Sequence, residues 1–156
     1  METLVNVLHV VGAVFIVGPM AILPMSAMRA IRARNASQVG LLAKSTYIFS
    51  LLSLVVAVLG FALMGLSDPK EKLSMTTPWI LFSLIFYAIA IVLSLAVVVP
   101  NLRRAASELE SSASQAPAAA GVAAAAAAPR YPAIAAGSGI VSLLLLAVVV
   151  LMVWKP

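Results

Sequence analysis

The chain has 156 residues, of which 63% are hydrophobic and only 10% are charged, and it carries a net charge of +5. A soluble domain has roughly a quarter charged residues, so a water-solvated globule is excluded. There is no cysteine, which removes disulfides, thiolate metal sites and cysteine nucleophiles. The basic residues border apolar stretches and form no patch of their own, which points to lipid and away from nucleic acid.

In chain order, four apolar stretches are long enough to cross a bilayer, which takes roughly 20 helical residues. They run from about Leu4 to Ala27, Ser45 to Leu66, Pro78 to Val99 and Ala133 to Trp154. None alternates like a barrel strand, and an open sheet cannot satisfy its backbone in lipid. The expected fold is therefore an all-α membrane protein, a bundle of four transmembrane helices forming one domain.

The first stretch lacks a basic leader and its basic residues follow it, so it reads as a retained helix and not a signal peptide. Pro19 and Pro24 predict two kinks in its second half. Arg29, Arg32, Arg34 and Lys44 follow before the second stretch. The serines of "FSLLSL", "FSLIFY" and "LSLAV" are expected to bond back to carbonyls of their own helices. Asp68, Lys70, Glu71 and Lys72 fall in a solvated turn after the second stretch. Thr77 is a candidate cap, with Pro78 at the first helical position. "NLRRAASELE" is able to prolong the third helix, but the Ala-rich segment over about 105–130 is expected to be a flexible linker, broken by Pro117, Gly121 and Pro129. Trp79 and Trp154 stand where an interfacial aromatic belt would place them.

The positive charges give an orientation. Seven basic residues (Arg29, Arg32, Arg34, Lys44, Arg103, Arg104 and Arg130) lie on one side of the membrane and three (Lys70, Lys72 and Lys155) on the other. The positive-inside rule puts the seven in the cytoplasm and both termini outside.

One polar feature interrupts the apolar spans. "NVLHVVGAVFIVGPM" holds Asn6 and His9, the single histidine of the chain. On a helix Glu2, Asn6, His9, Ala13, Ile16 and Met20 share one stripe, with Gly12 beside it. Polar groups in hydrocarbon are costly, so this stripe is expected to face the bundle interior and to meet the third or fourth span. Three readings stay open: an interhelical polar contact made by Asn6 and His9, a haem b or metal ligand at His9, or an interfacial histidine without a role. With one histidine, bis-histidine haem ligation within one chain is impossible, and a second ligand would have to be Met64, Met75 or Met152, which read first as packing residues. No catalytic constellation, phosphate loop or mid-membrane carboxylate is present in the sequence. Gly60, Gly65, Gly137 and Gly139 allow close approach of helices.

The opening "LHVVGAVFIVG" and the ending "AVVVLMVWKP" resemble small bacterial membrane proteins grouped as DUF2269, a family of predicted integral membrane proteins of unknown function. "WILFSL" and "VPNLRR" are similar more loosely. The first helix also resembles that of CopD and HemJ-like membrane proteins, and this likeness implies a haem-binding role for His9 alone. The lysine partner that the HemJ-like group implies has no counterpart at His9's depth in the second span; Lys155 is on the matching side but in another helix. The resemblance and the sparse polar chemistry together give the expectation of a non-enzymatic accessory or scaffold subunit. It would sit in the bacterial cytoplasmic membrane, contact lipid, and associate with other membrane subunits, a respiratory complex among them, or with itself. The alternative is a haem- or metal-binding redox protein.

Overall fold

The computed structural model describes residues 2–66, 77–114 and 131–154. Every described residue is helical except residues 33–35 and Thr77. Among the described residues four helices are long and apolar enough to cross a membrane: α1 (Glu2–Arg32), α2 (Ala36–Leu66), α3 (Pro78–Ser114) and α4 (Tyr131–Trp154). They pack in cyclic order, α1 on α2, α2 on α3, α3 on α4, and α4 back on α1.

Length separates α4 from the rest. At a rise of about 1.5 Å per residue its 24 residues span roughly 36 Å, near the thickness of the hydrocarbon core. α1 and α2, with 31 residues each, and α3, with 37, are longer than a membrane requires. Their excess lies at one end, called here the basic end because Arg29, Arg32, Arg34, Lys44, Arg103 and Arg104 are there. The second helix accordingly starts at Ala36, ahead of the apolar stretch that begins near Ser45. Residues 105–114, expected to begin the linker, are the last turns of α3. The reason is amphipathic spacing: Leu102, Ala105, Ala106 and Leu109 are buried against the other helices. The rest of the expected linker, the Asp68–Lys72 turn, Met75 and Lys155 lie outside the described residues.

The connection between α1 and α2 is a compact turn with no sequence flag. The Asn35 N–H donates to Ala30 O and the Arg34 N–H to Ile31 O, each at 3.0 Å, with Arg34 at φ 54° in the left-handed region. This is the bond pattern of a Schellman termination. Asn35 then caps α2, its Oδ1 accepting from the Gln38 N–H at 3.1 Å and the Ser37 hydroxyl at 3.3 Å. Thr77 occupies the cap of α3 in an extended conformation, with Pro78 at N1 and the Ile80 and Leu81 N–H groups on its carbonyl.

Among the described residues two π-turns break the α-helical register, Ala13–Val17 in α1 and Ser94–Val98 in α3. Both end two residues before a proline. The Gly18 N–H reaches back five residues to Ala13 O just before Pro19, and the Val99 N–H reaches Ser94 O just before Pro100. Proline has no N–H and its ring collides with the carbonyl four residues earlier. A wider turn ahead of it absorbs that mismatch without ending the helix. α1 therefore runs continuously through Pro19 and Pro24, the latter buried.

The core is built largely of small side chains. Ala27, Ala30, Ala43, Ala90 and Ala105 pack with Met20, Val39, Val98, Leu102, Ile134 and Val141. Gly137 faces Val98 in the second π-turn, where a Cβ would lie 3.2 Å from Val98 Cγ2. Gly65 and Gly139 have open space instead, so they mark no close approach.

Candidate functional site

His9 is half-buried between α1 and α2. Its Nδ1 lies 2.9 Å from the carbonyl oxygen of Val56. A carbonyl only accepts, so Nδ1 carries the proton and donates. In the neutral ring this fixes the tautomer and leaves the Nε2 lone pair as an acceptor or ligand.

Two glycines make the contact possible. A Cβ on Gly60 would stand 3.0 Å from His9 Cε1, so the imidazole lies directly on the α2 backbone there. A Cβ on Gly12 would stand 2.9 Å from Val56 Cγ2, one turn along α1 from His9. "GAVF" and "LGFA" thus carry a glycine on each side of the same seam.

This placement corrects the expectation that His9 meets the third or fourth span. Its partner is the second. The first half of α1 packs on α2, and the two approach closely because Gly12 of α1 faces Val56 and Gly60 of α2 faces His9. Asn6 is also placed differently from the expected inward face. It is exposed, and no hydrogen bond joins its amide to another described residue. Val5, His9, Gly12 and Ile16 form the inward stripe, and Asn6 falls about 60° to its side at 100° per residue.

A second polar group was not foreseen as a unit. Ser50, Ser53, Ser83, Ser94, Ser138 and Thr46 are all essentially inaccessible. Ser50 and Ser94 share a hydrogen bond of 2.8 Å between α2 and α3, and Ser53 and Tyr87 share one of 2.9 Å between the same helices. Ser142 donates to Ala21 O at 2.9 Å, joining α4 to α1. Of the four serines expected to bond back to their own helices, Ser83 does so to Trp79 O and Ser53 to Ser50 O, each at 2.7 Å, whereas Ser50 and Ser94 bond to each other; Thr46 also bonds back, to Leu42 O at 2.8 Å. The sequence signal was the spacing Thr46, Ser50, Ser53, Val56 and Gly60, which follows one face of α2 and leads to His9.

What can this arrangement hold? Among the described residues no group of three or more His, Asp or Glu side chains is placed to hold a metal ion. His9 offers one nitrogen. That nitrogen is of the kind that would ligate a haem iron, and an Nδ1–H bond to a carbonyl is the usual way an imidazole ligand is oriented. Met64 and Met152 are half-buried, and Met75 lies outside the described residues.

The family model for predicted integral membrane protein (DUF2269) matches residues 3–156. No curated protein and no solved structure matches the chain.

Proposed function

The chain belongs to the DUF2269 family of predicted integral membrane proteins, and from that premise we propose that it is a non-enzymatic accessory or scaffold subunit of a larger membrane assembly. The observation that carries this reading is the state of α1 before its π-turn. From Glu2 to Gly12 the helix buries no residue, and Leu4, Val7, Val10 and, just beyond, Val14 and Phe15 are exposed, Phe15 by 69%. The buried hydroxyls, by contrast, bond to one another or to helix carbonyls within the bundle. The apolar outer half of α1 is the surface for a partner helix. The assembly is in the bacterial cytoplasmic membrane, with the basic end in the cytoplasm and both termini outside, as the loop charges direct.

A photo-crosslinking residue at Val7, Val10 or Phe15, in whole cells, tests this. A discrete heterologous adduct at these positions, absent when the label is placed at exposed Leu143 of α4, is the expected result. Labelling of lipid alone at every position overturns it.

A second reading has one specific observation in its favour. His9 is held by its Nδ1–H with Nε2 left for a ligand. Haem b would be bound through that atom and would supply electron transfer; the chain's own part would be to fix the imidazole through Val56 O and Gly60. Soret absorption in protein purified after haem supplementation, lost in His9→Gln, supports this reading; absence of the band in the supplemented wild type removes it.

A further inference from the structure

At the basic end, two arginines lie on tyrosine rings. The Arg32 guanidinium carbon is 5.0 Å from the centre of the Tyr131 ring, and that of Arg103 is 4.8 Å from the centre of the Tyr47 ring. The first pair bridges α1 and α4, and the second bridges α3 and α2. The two pairs are built the same way. Each arginine is on a helix that has just left its apolar span, and each tyrosine is at the start of one, Tyr47 just inside the second and Tyr131 just ahead of the fourth. Helical side chains lean toward the N-terminus of their own helix. Arg32 and Arg103 therefore lean back toward the membrane, while Tyr131 and Tyr47 lean away from it. The guanidinium groups are drawn to the boundary between apolar span and water, where headgroup phosphates lie.

Stacking on a ring uses the face of the guanidinium and leaves its N–H edge open. Among the described residues neither arginine has a carboxylate partner. Arg29 lies one turn from Arg32, and Arg104 is adjacent to Arg103; both are exposed. The carboxylates of this end, Glu108 and Glu110, stand one to two turns further along α3, away from the membrane. A planar, fixed donor fork beside a tyrosine is suited to two-point bonding of a phosphate diester.

We propose that these two seams are binding sites for the phosphate of anionic phospholipids, one between α1 and α4 and one between α2 and α3. The lipid tails lie along the exposed apolar faces next to each seam. Bilayer lipid is the occupant because the donors sit at the edge of the spans and not at the tip of a loop.

Native mass spectrometry of detergent-purified full-length protein, titrated with phosphatidylglycerol or phosphatidylcholine, tests the proposal. With one stacked arginine at each seam, roughly a fivefold preference for the anionic lipid is expected per site. That preference and up to two retained molecules are expected for the wild type. The double variant Arg32→Gln/Arg103→Gln should lose most of the preference, and the charge-matched Arg34→Gln/Arg104→Gln should keep most of it. Tyr47→Phe/Tyr131→Phe, which keeps the stacking faces, should also keep it, so the proposal stays testable if the arginine variant is unstable. Equal binding of the two lipids by the wild type, equal loss in both arginine variants, or full competition by millimolar inorganic phosphate overturns it; the last would show a site for free anions.

Discussion

The two ends of the bundle are packed on different principles. Toward the basic end, α1, α2 and α3 bury Ala27, Ala30, Val39, Ala43, Leu102, Ala105, Ala106 and Leu109 in one cluster. Toward the far end, α1 before Gly12, α2 after Val56 and α4 after Leu145 bury nothing fully. The sequence is no less apolar there. The solvent differs: where helices leave the membrane, water drives leucine and valine inward, whereas lipid solvates the same side chains as well as another helix does. Close contact at the far end therefore depends on small residues and hydrogen bonds at Gly12, Gly60 and His9, together with the start of α3, where Ile80 and Ser83 are buried.

Substitutions that act at one end and not the other sharpen this contrast, and the largest effect is expected at the basic end. Leu102→Ala removes a side chain with no exposure and should destabilise by about 2–5 kcal/mol. Leu8→Ala, at a residue 47% exposed in the other half, should change stability by less than about 0.5 kcal/mol. Unfolding of both proteins in mild detergent by a graded denaturant compares them; similar losses would mean the far end is packed as the basic end is.

Glycine substitutions come next. Gly12→Ala brings a methyl against Val56 and should cost about 1–3 kcal/mol by overpacking. Gly65→Ala, with open space around it, should be neutral or gain a few tenths of a kcal/mol from helix propensity, on the order of 0.5. A thermal shift in the same detergent separates them, and a neutral Gly12→Ala would show that the α1–α2 seam is loose.

The hydroxyl pair at the middle of the bundle should give a smaller loss. Ser50→Ala strands the Ser94 hydroxyl and should cost about 1 kcal/mol, with Ser50→Ala/Ser94→Ala little worse than either single change. A double-mutant cycle reads the coupling directly; additive losses would mean that the two hydroxyls do not depend on each other. His9→Leu, which removes the bond to Val56 O, should also cost on the order of 1 kcal/mol, and His9→Gln less, because an amide N–H still donates.

The last effect is a gain. Arg34 holds a left-handed conformation that glycine adopts freely, so Arg34→Gly should stabilise by about 0.5–1 kcal/mol. A lower melting point would mean that the arginine side chain contributes more than its backbone strain costs.

Composition and span length alone determined the class of this protein, because a bilayer admits few solutions to backbone satisfaction. Four apolar stretches of the required length mean four helices. Pro19 and Pro24 announced a disturbance in the first helix, but whether a helix stops, kinks or widens into a π-turn depends on its neighbours; here α1 widens ahead of Pro19 and continues, and α3 does the same ahead of Pro100. The extension of α3 to Ser114 was half legible: the spacing of Leu102, Ala105, Ala106 and Leu109 is helical, yet an alanine- and serine-rich segment is a stable helix only if something covers its apolar face, and α1 and α2 do so. The polar stripe of α1 was legible as a stripe, but which member faced inward was not. A helical wheel leaves the direction of contact free by tens of degrees, and two glycines on different helices chose His9 over Asn6. The pairings of Ser50 with Ser94, Ser53 with Tyr87 and Arg103 with Tyr47 join residues of α2 to residues of α3. Local propensity carries no information about such pairs, since they exist only once antiparallel helices have taken their relative height and rotation.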